Sequence, residues 1–179
     1  MIDFGYGVAL DRIKSTDLPY MIDSRNDYRI RKWCRQYDLL SWQNHLEWFD
    51  KIQKDQTVSM YKIKNASGVT VGICGFTDID RVNQRAEFSL YIYPTKQSQR
   101  NGTKALKTLF SHGFLNQNLN LIWGETFDEN PALSLFKSLG MTVDGTRPQH
   151  YFREGRFIDA HLISLSRDLF FKWKETLWT

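Results

Sequence analysis

RAEFSLYIYPTKQSQRNGTKALKTLFSHGF, residues 85–114, reads as a strand, a short polar loop and a helix. Ala86, Phe88, Leu90 and Ile92 alternate with their neighbours at the two-residue period of a pleated strand, and aromatic and branched side chains suit one. Pro94 ends it. After Gly102, Ala105, Leu106, Leu109, Phe110, Gly113 and Phe114 recur three to four apart, while Lys104, Lys107, Thr108, Ser111 and His112 fall on the other side. An amphipathic helix lying on a sheet is expected. The loop between them, Thr95-Lys96-Gln97-Ser98-Gln99-Arg100-Asn101-Gly102, is basic and has no acid. It delivers the chain into a helix N-terminus, where unpaired N–H groups and a partial positive charge suit a phosphate or pyrophosphate. A solvated turn would account for the same residues, so a phosphate-bearing cofactor enters as a hypothesis.

Working outward, Val8 to Ile13 reads as a first strand, followed by a Ser15 or Thr16 cap and a charged helical segment from Asp17 to Gln36 with Trp33 as its anchor. Ser41 can cap a second helix in which Trp42, Leu46, Phe49 and Ile52 share a core face. Thr57 to Lys64 and Val69 to Thr77 form a hairpin across Asn65-Ala66-Ser67-Gly68. Leu121 to Phe127 is a further strand. Asn130-Pro131 then starts a helix with the face Ala132, Leu135, Phe136 and Leu139, and Gly140 fits its C-terminal cap. Met141 to Tyr151 and Phe157 to Ser166 make a last hairpin. The tail from Leu169 to Trp178 is a short helix packing Phe170, Trp173 and Leu177 on the body, with a partner-binding helix as the sharper alternative. The result is one α/β (α+β) domain spanning residues 1–179, with helices on the faces of a mixed sheet.

Composition sets bounds on function. Hydrophobic content of 41% and charged content of 25% are those of an ordinary globular chain, and a net charge of +4 helps attract anions without the clustered basic face that nucleic-acid binding needs. Nucleic acid is not an expected partner. Cys34 and Cys74 have no ligand-like spacing, so neither a zinc site nor a disulfide framework is indicated, and both are read as reduced and buried. With no charged-then-apolar leader and no apolar run near the roughly 20 residues that span a bilayer, no membrane association and a cytoplasmic setting are expected.

Taken together, several motifs resemble the GNAT superfamily of acetyl-CoA-dependent N-acetyltransferases. They are AEFSLYIYP (Ala86 to Pro94), Gln97 to Gly102, HGF (His112 to Phe114), ENPALSLFKSLGM (Glu129 to Met141) with Val143-Asp144-Gly145, and FREGRFIDA (Phe152 to Ala160). The resemblance covers nearly the whole chain and points to the branch of spermidine, ribosomal-protein N-terminal and flagellin amino-sugar acetyltransferases. Arg25-Asn26, Trp33, His45 and Trp48 are similar to the amino-sugar members. It implies a single, mostly antiparallel twisted sheet of about seven strands with helices on both faces.

The resemblance also implies acetyl-CoA as cofactor. Its pyrophosphate would be held by the loop and helix start, Gln97, Gln99, Arg100, Gly102, Thr103 and Lys104, and its pantetheine arm by the backbone of Leu90 to Ile92 and by Asn130. Asn130 serves equally as a plain helix cap. Counting from Pro94 puts Arg100 where the family's middle loop glycine is usual, so the arginine must adopt a glycine-like conformation or contribute its guanidinium. The register Gln99-x-x-Gly102-x-Lys104 is the alternative. Phe136 stands where many members carry a proton-donating tyrosine, leaving Tyr91, Tyr93 and Tyr151 as candidates. For the amine, Glu125 is read as base or water-orienting residue and Glu87 as acceptor-binding, against the plain alternative that each pairs with an arginine such as Arg85. His45 and His150 are read as structural. No metal is called for.

The expected reaction is direct acetyl transfer to a primary amine in a ternary complex. A polyamine would use Asp38, Glu47, Glu87 and Glu125, an amino sugar would stack on Trp33, Trp42 or Trp48, and a protein N-terminus or lysine would need an open groove. A homodimer is among the expected assemblies. The competing function is a CoA-binding regulatory or interaction module of the same fold with little or no turnover.

Overall fold

The computed structural model describes residues 1–176 and 178, leaving aside the side chains of Ser98 and Gln99. Eight strands form one sheet: β1 Ile2–Asp3, β2 Val8–Arg12, β3 Ser59–Asn65, β4 Thr70–Asp80, β5 Arg85–Ile92, β6 Leu121–Phe127, β7 Thr142–Arg153 and β8 Arg156–Ser166. Their order is β1-β2-β3-β4-β5-β6-β8-β7, and every neighbouring pair is antiparallel except β5 and β6. The strand beyond the expected seven is β1, whose two residues pair Leu10 and Ala9 and are too few to display an alternation.

Helices cover both faces: α1 Leu18–Asn26, α2 Tyr28–Arg31 and α3 Trp42–Ile52 on one, α4 Asn101–Ser111, α5 Ala132–Ser138 and α6 Arg167–Lys174 on the other. Leu106, Leu109, Phe110 and Phe114 are fully buried against Phe76, Ile122 and Leu165. At about 1.5–3 kcal/mol for each large apolar side chain taken from water, this face holds most of the core. The smaller cluster under α1 and α3 joins Ile13, Leu18, Met21, Ile73 and Tyr93, with Leu46 and Phe49 packed on it.

Four local expectations change. The helix expected from residue 17 to 36 breaks at Asp27, whose backbone turns extended (φ −59°, ψ 129°) and whose carboxylate accepts the Arg29 amide at 2.9 Å to start α2. Trp33 therefore leaves the core and lines a cleft. Trp42, expected inside, is 46% exposed, and the one buried residue of α3 is His45. The polar positions Thr108, Ser111 and His112 of the central helix are buried too. Thr108 donates to the Val8 and Lys104 carbonyls, Ser111 to the Tyr6 hydroxyl, and His112 meets Tyr61 and Gln117 at 3.1 and 2.9 Å, because the N-terminal strands cover a face that periodicity assigns to solvent. Of the two free cysteines, Cys74 is buried and Cys34 half-buried.

The tail closes on the body as expected. Ser166 caps α6, Phe170 is buried, and the Trp178 indole donates to the Leu139 carbonyl at 3.3 Å; Leu177 lies outside the described residues. Gly140 is required where it stands: its φ is +88°, and a Cβ there would lie 2.4 Å from the Trp173 ring. Among the described residues no helix is long and apolar enough to cross a membrane.

The feature that positions the site is a fork in the sheet. The parallel strands β5 and β6 pair only from Arg85 to Glu87, against Leu121 to Trp123. At the next step Phe88 swings across Gly124, where a Cβ would sit 2.5 Å from its ring, and packs edge-on against Phe110 and Phe136. The ring is a wedge between the strands.

Candidate active site

Beyond the wedge, the β6-facing edge of β5 has no strand partner, and a cleft of about 390 Å³ opens beside it. Leu90, Ile92, Gln97, Arg100, Gly102, Thr103 and Asn130 all line it, together with the α5 start. Gln97 Nε2 donates to the Ile92 carbonyl at 3.3 Å, closing the end of the strand. Arg100 takes the left-handed conformation (φ 54°, ψ 22°) that a glycine would adopt freely, so the departure from the family's loop is absorbed by the backbone while the guanidinium faces the cleft and solvent. Asn101 Nδ2 donates to the Lys96 carbonyl at 2.9 Å and fixes the loop, and the next intrahelical bond is Lys104 N–H to Arg100. Asn101, Gly102 and Thr103 form the first turn of α4 ahead of that bond, and Gly102 and Thr103 line the cleft. An unpaired strand edge leading to a helix N-terminus beside a cation fits a pantetheine arm ending in a pyrophosphate.

Two expected contacts sit differently. Lys104 does not line the cleft; its side chain runs beside Gly7 in the β1–β2 turn. The Gln99 side chain lies outside the described residues. Asn130 Oδ1 accepts the Ala132 amide at 3.0 Å as a cap, while its Nδ2 has no protein partner among the described residues and is free to donate into the cleft.

A second cleft of about 480 Å³ joins the first at Trp33, Cys34, Leu90, Tyr91, Asn130 and Phe136. Glu87 and Glu125 both line it, so the structure brings the two sequence-predicted carboxylates together. Glu87 is 4% exposed; its Oε1 pairs with Arg35 at 2.7 Å and its Oε2 accepts from Thr77 at 3.3 Å. Glu125 accepts from Arg147 at 2.7 Å and from the Tyr151 hydroxyl at 2.5 Å. Arg85, the expected arginine partner, turns instead to Asp80 at 3.5 Å. The arginines that do pair are Arg35 and Arg147, far away in sequence, and no periodicity marks them.

Arg35 rides on the segment between α2 and α3, which is clipped at three points. Asn26 exchanges two hydrogen bonds with Leu40, Arg153 Nη2 donates to the Cys34 and Arg35 carbonyls at 3.1 and 2.7 Å, and Tyr28 and Tyr37 donate to Glu154. The β7–β8 hairpin therefore holds the roof of the cleft.

Of the tyrosines, Tyr91 lines both clefts, and burial pushes its hydroxyl well above the ordinary range. Tyr93 is buried in the smaller core cluster. Tyr151 is pushed up to about 12 by burial and by its bond to Glu125. Phe136 sits at the junction of the clefts with no proton to give. His45, read as structural, also lines the second cleft, stacked on Trp48 at 5.3 Å, and burial lowers its pKa; His150 lies outside both linings. Asp38 and Glu47 are not in the lining either, Glu47 instead accepting from Gln43 at 2.8 Å.

Comparison with known proteins bears on the fold and the family. The chain is 24% identical to spermidine N(1)-acetyltransferase of Escherichia coli K12 over 156 residues, 87% of this chain and 83% of that protein. It is 32% identical to the N-acetyltransferase p20 of Bacillus licheniformis over 96 residues, 53% and 54% of the two chains. The fold matches the crystal structure of Vibrio cholerae spermidine N-acetyltransferase in complex with CoA and spermine with a TM-score of 0.85 at 20% identity, covering 92% of this chain and 98% of that one. The acetyltransferase (GNAT) domain model matches residues 8–142, and the chain belongs to that family of acyltransferases, whose cofactor is acetyl-CoA.

Proposed function

We propose that this enzyme acetylates the primary amine of an acceptor bound in the Glu87–Glu125 cleft, by direct attack in a ternary complex in the cytoplasm. The observation that carries the reading is the junction: the cleft on the free edge of β5 and the cleft holding both carboxylates share six residues, so a cofactor arm in one ends where an amine in the other begins. Acetyl-CoA supplies the acetyl thioester. Leu90 and Ile92 would present backbone groups to its arm, Asn130 would donate its Nδ2, and the first turn of α4 with Arg100 and Gln97 would hold its phosphate end.

The amine must arrive neutral or lose a proton in the cleft. Arg35, which holds Glu87, is 51% exposed and can swing aside, so Glu87 is the carboxylate able to take up an incoming ammonium. Glu125 is locked by Arg147 and Tyr151, its side chain 2% exposed, and is suited to orient a water that carries the proton away. Tyr91, the tyrosine that lines both clefts, takes the place of the one missing at Phe136 as proton donor to the leaving thiolate. Phe136 is also what favours a second reading, a CoA-binding module without turnover.

Titration calorimetry with acetyl-CoA and CoA, followed by a thiol-release screen of amines, tests the proposal. Cofactor binding with turnover of any amine supports it; cofactor binding with no turnover selects the module; no binding up to millimolar concentration removes both. Within an active enzyme, Glu87→Gln should act mainly on the acceptor KM and Glu125→Gln on kcat, the latter by about 100-fold if a proton path is lost.

A further inference from the structure

Resting on the acetyltransferase reading, we infer that the acceptor is a small amine carrying an anionic group of its own, a carboxylate or a phosphate, bound by Arg25, and that a polyamine is not the acceptor. The charges lining the acceptor cleft are Arg25, Arg35, Glu87 and Glu125. They cancel before any ligand arrives. Glu125 is moreover locked by Arg147 at 2.7 Å, which leaves Glu87 alone to receive an ammonium, and the two further acids that a polyamine would want, Asp38 and Glu47, are not in the lining.

Arg25 is different. It stands in the last turn of α1, half-buried, and no carboxylate pairs with it among the described residues. It lines the cleft together with Cys34, His45 and Tyr91. Burial favours neutral His45, so the imidazole does not compete for an anion or repel an amine. A guanidinium presented to a cleft offers paired N–H donors matched to a carboxylate or phosphate. Trp33 and Trp48 provide flat apolar walls for the body of the ligand. A molecule with its amine toward Glu87 and its anion on Arg25 leaves the cleft neutral. A polyamine adds several positive charges and leaves Arg25 unpaired.

The test uses the full chain with saturating acetyl-CoA and four amines: L-phenylalanine, glucosamine 6-phosphate, glucosamine and spermidine. One of the first two should exceed spermidine in kcat/KM by at least about tenfold, and which one it is separates carboxylate from phosphate. Arg25→Gln should then cut the preference for that anionic amine over glucosamine by about tenfold, through KM rather than kcat, and Arg25→Lys should restore part of it. Calorimetry of the same amine with the CoA-bound protein should show the matching loss in affinity. Preference for spermidine, or an Arg25→Gln enzyme with an unchanged preference, overturns the inference while the acetyltransferase reading stands. CoA binding with neither binding nor turnover of any of the four overturns the inference and selects the non-catalytic module, and failure to bind CoA removes the reading on which both depend.

Discussion

The two clefts that meet at Tyr91 are built from different materials. The cleft proposed for the cofactor is made largely of backbone: the edge of β5 that no described strand pairs, the first turn of α4 and a cap asparagine with an idle Nδ2. The acceptor cleft is made of side chains: two carboxylates, the arginines that neutralise them and two tryptophans. Backbone recognition tolerates changes of residue type, and the arginine at position 100 takes the left-handed conformation that a glycine would adopt there. Side-chain recognition has no such tolerance, so this is where one acetyltransferase departs from another in what it acetylates.

That contrast is broken most severely at Gly102. A Cβ there would point among Ile92, Leu90 and Leu135 at 3.6–3.8 Å, room for a methyl group but not for a ring. Gly102→Phe fills the channel and should weaken CoA by about 100-fold or more in calorimetry, since close approach along a strand edge contributes several kcal/mol that no rearrangement recovers. Gly102→Ala should be mild. If the phenylalanine variant binds CoA normally, the cleft beside β5 is not the cofactor channel.

The acceptor side yields to a residue that touches no ligand. Arg153 reaches from β7 to the carbonyls of Cys34 and Arg35 and stacks on Tyr37 at 5.0 Å. Arg153→Ala frees the segment that carries Arg35. The acceptor KM should rise about tenfold with the CoA Kd unchanged, since only the side-chain-built cleft loses its frame. Equal losses in both would mean that the two clefts are one cooperative unit.

Legibility in the sequence divides along the same line. The strand from Arg85, the basic loop and the helix after it could be read because alternation, proline and three-to-four spacing are local signals, and the cleft lining follows from them for Leu90, Ile92, Gln97, Gly102 and Asn130. Glu87 and Glu125 could be placed together only through the family resemblance. Their partners could not, because Arg35 and Arg147 arrive from a loop and from an irregular stretch of β7, and nothing local distinguishes them from other surface arginines. The same limit misassigned Thr108, Ser111 and His112. Helical spacing says which residues share a face, and only the tertiary fold says whether that face is covered.

A smaller effect comes from pH. His45 beneath the acceptor cleft and His112 behind the central helix both have pKa values lowered by burial. In the unfolded chain each takes up a proton near the ordinary histidine value of about 6.5, while the folded protein resists. Stability is therefore full above that pH and falls as the pH drops from there toward the lower folded values. Urea midpoints measured between pH 8 and 5 should decline on the acid side, and the slope should ease in a His45→Gln variant. An unaltered slope would assign the acid sensitivity to His112 and its Tyr61 and Gln117 partners.

The smallest change tests how fully the backbone-built cleft has absorbed its odd residue. A non-glycine residue in the left-handed region costs about 1–2 kcal/mol, so Arg100→Gly should recover about that much in the folded state. The glycine also loosens the unfolded chain, at a cost of about 0.4–1 kcal/mol, so the net gain is about 0.5–1 kcal/mol and the urea midpoint should rise slightly. Affinity separates the roles more cleanly. If the guanidinium meets the phosphate end of CoA at the exposed mouth of the cleft, removing it should weaken binding only severalfold at low salt, as for an exposed ion pair, and the difference should vanish at about 0.5 M salt, where such pairs are screened. A salt-independent loss would instead mean that Arg100 shapes the loop that leads into the helix N-terminus, and a gain in affinity would mean that its side chain stands in the way.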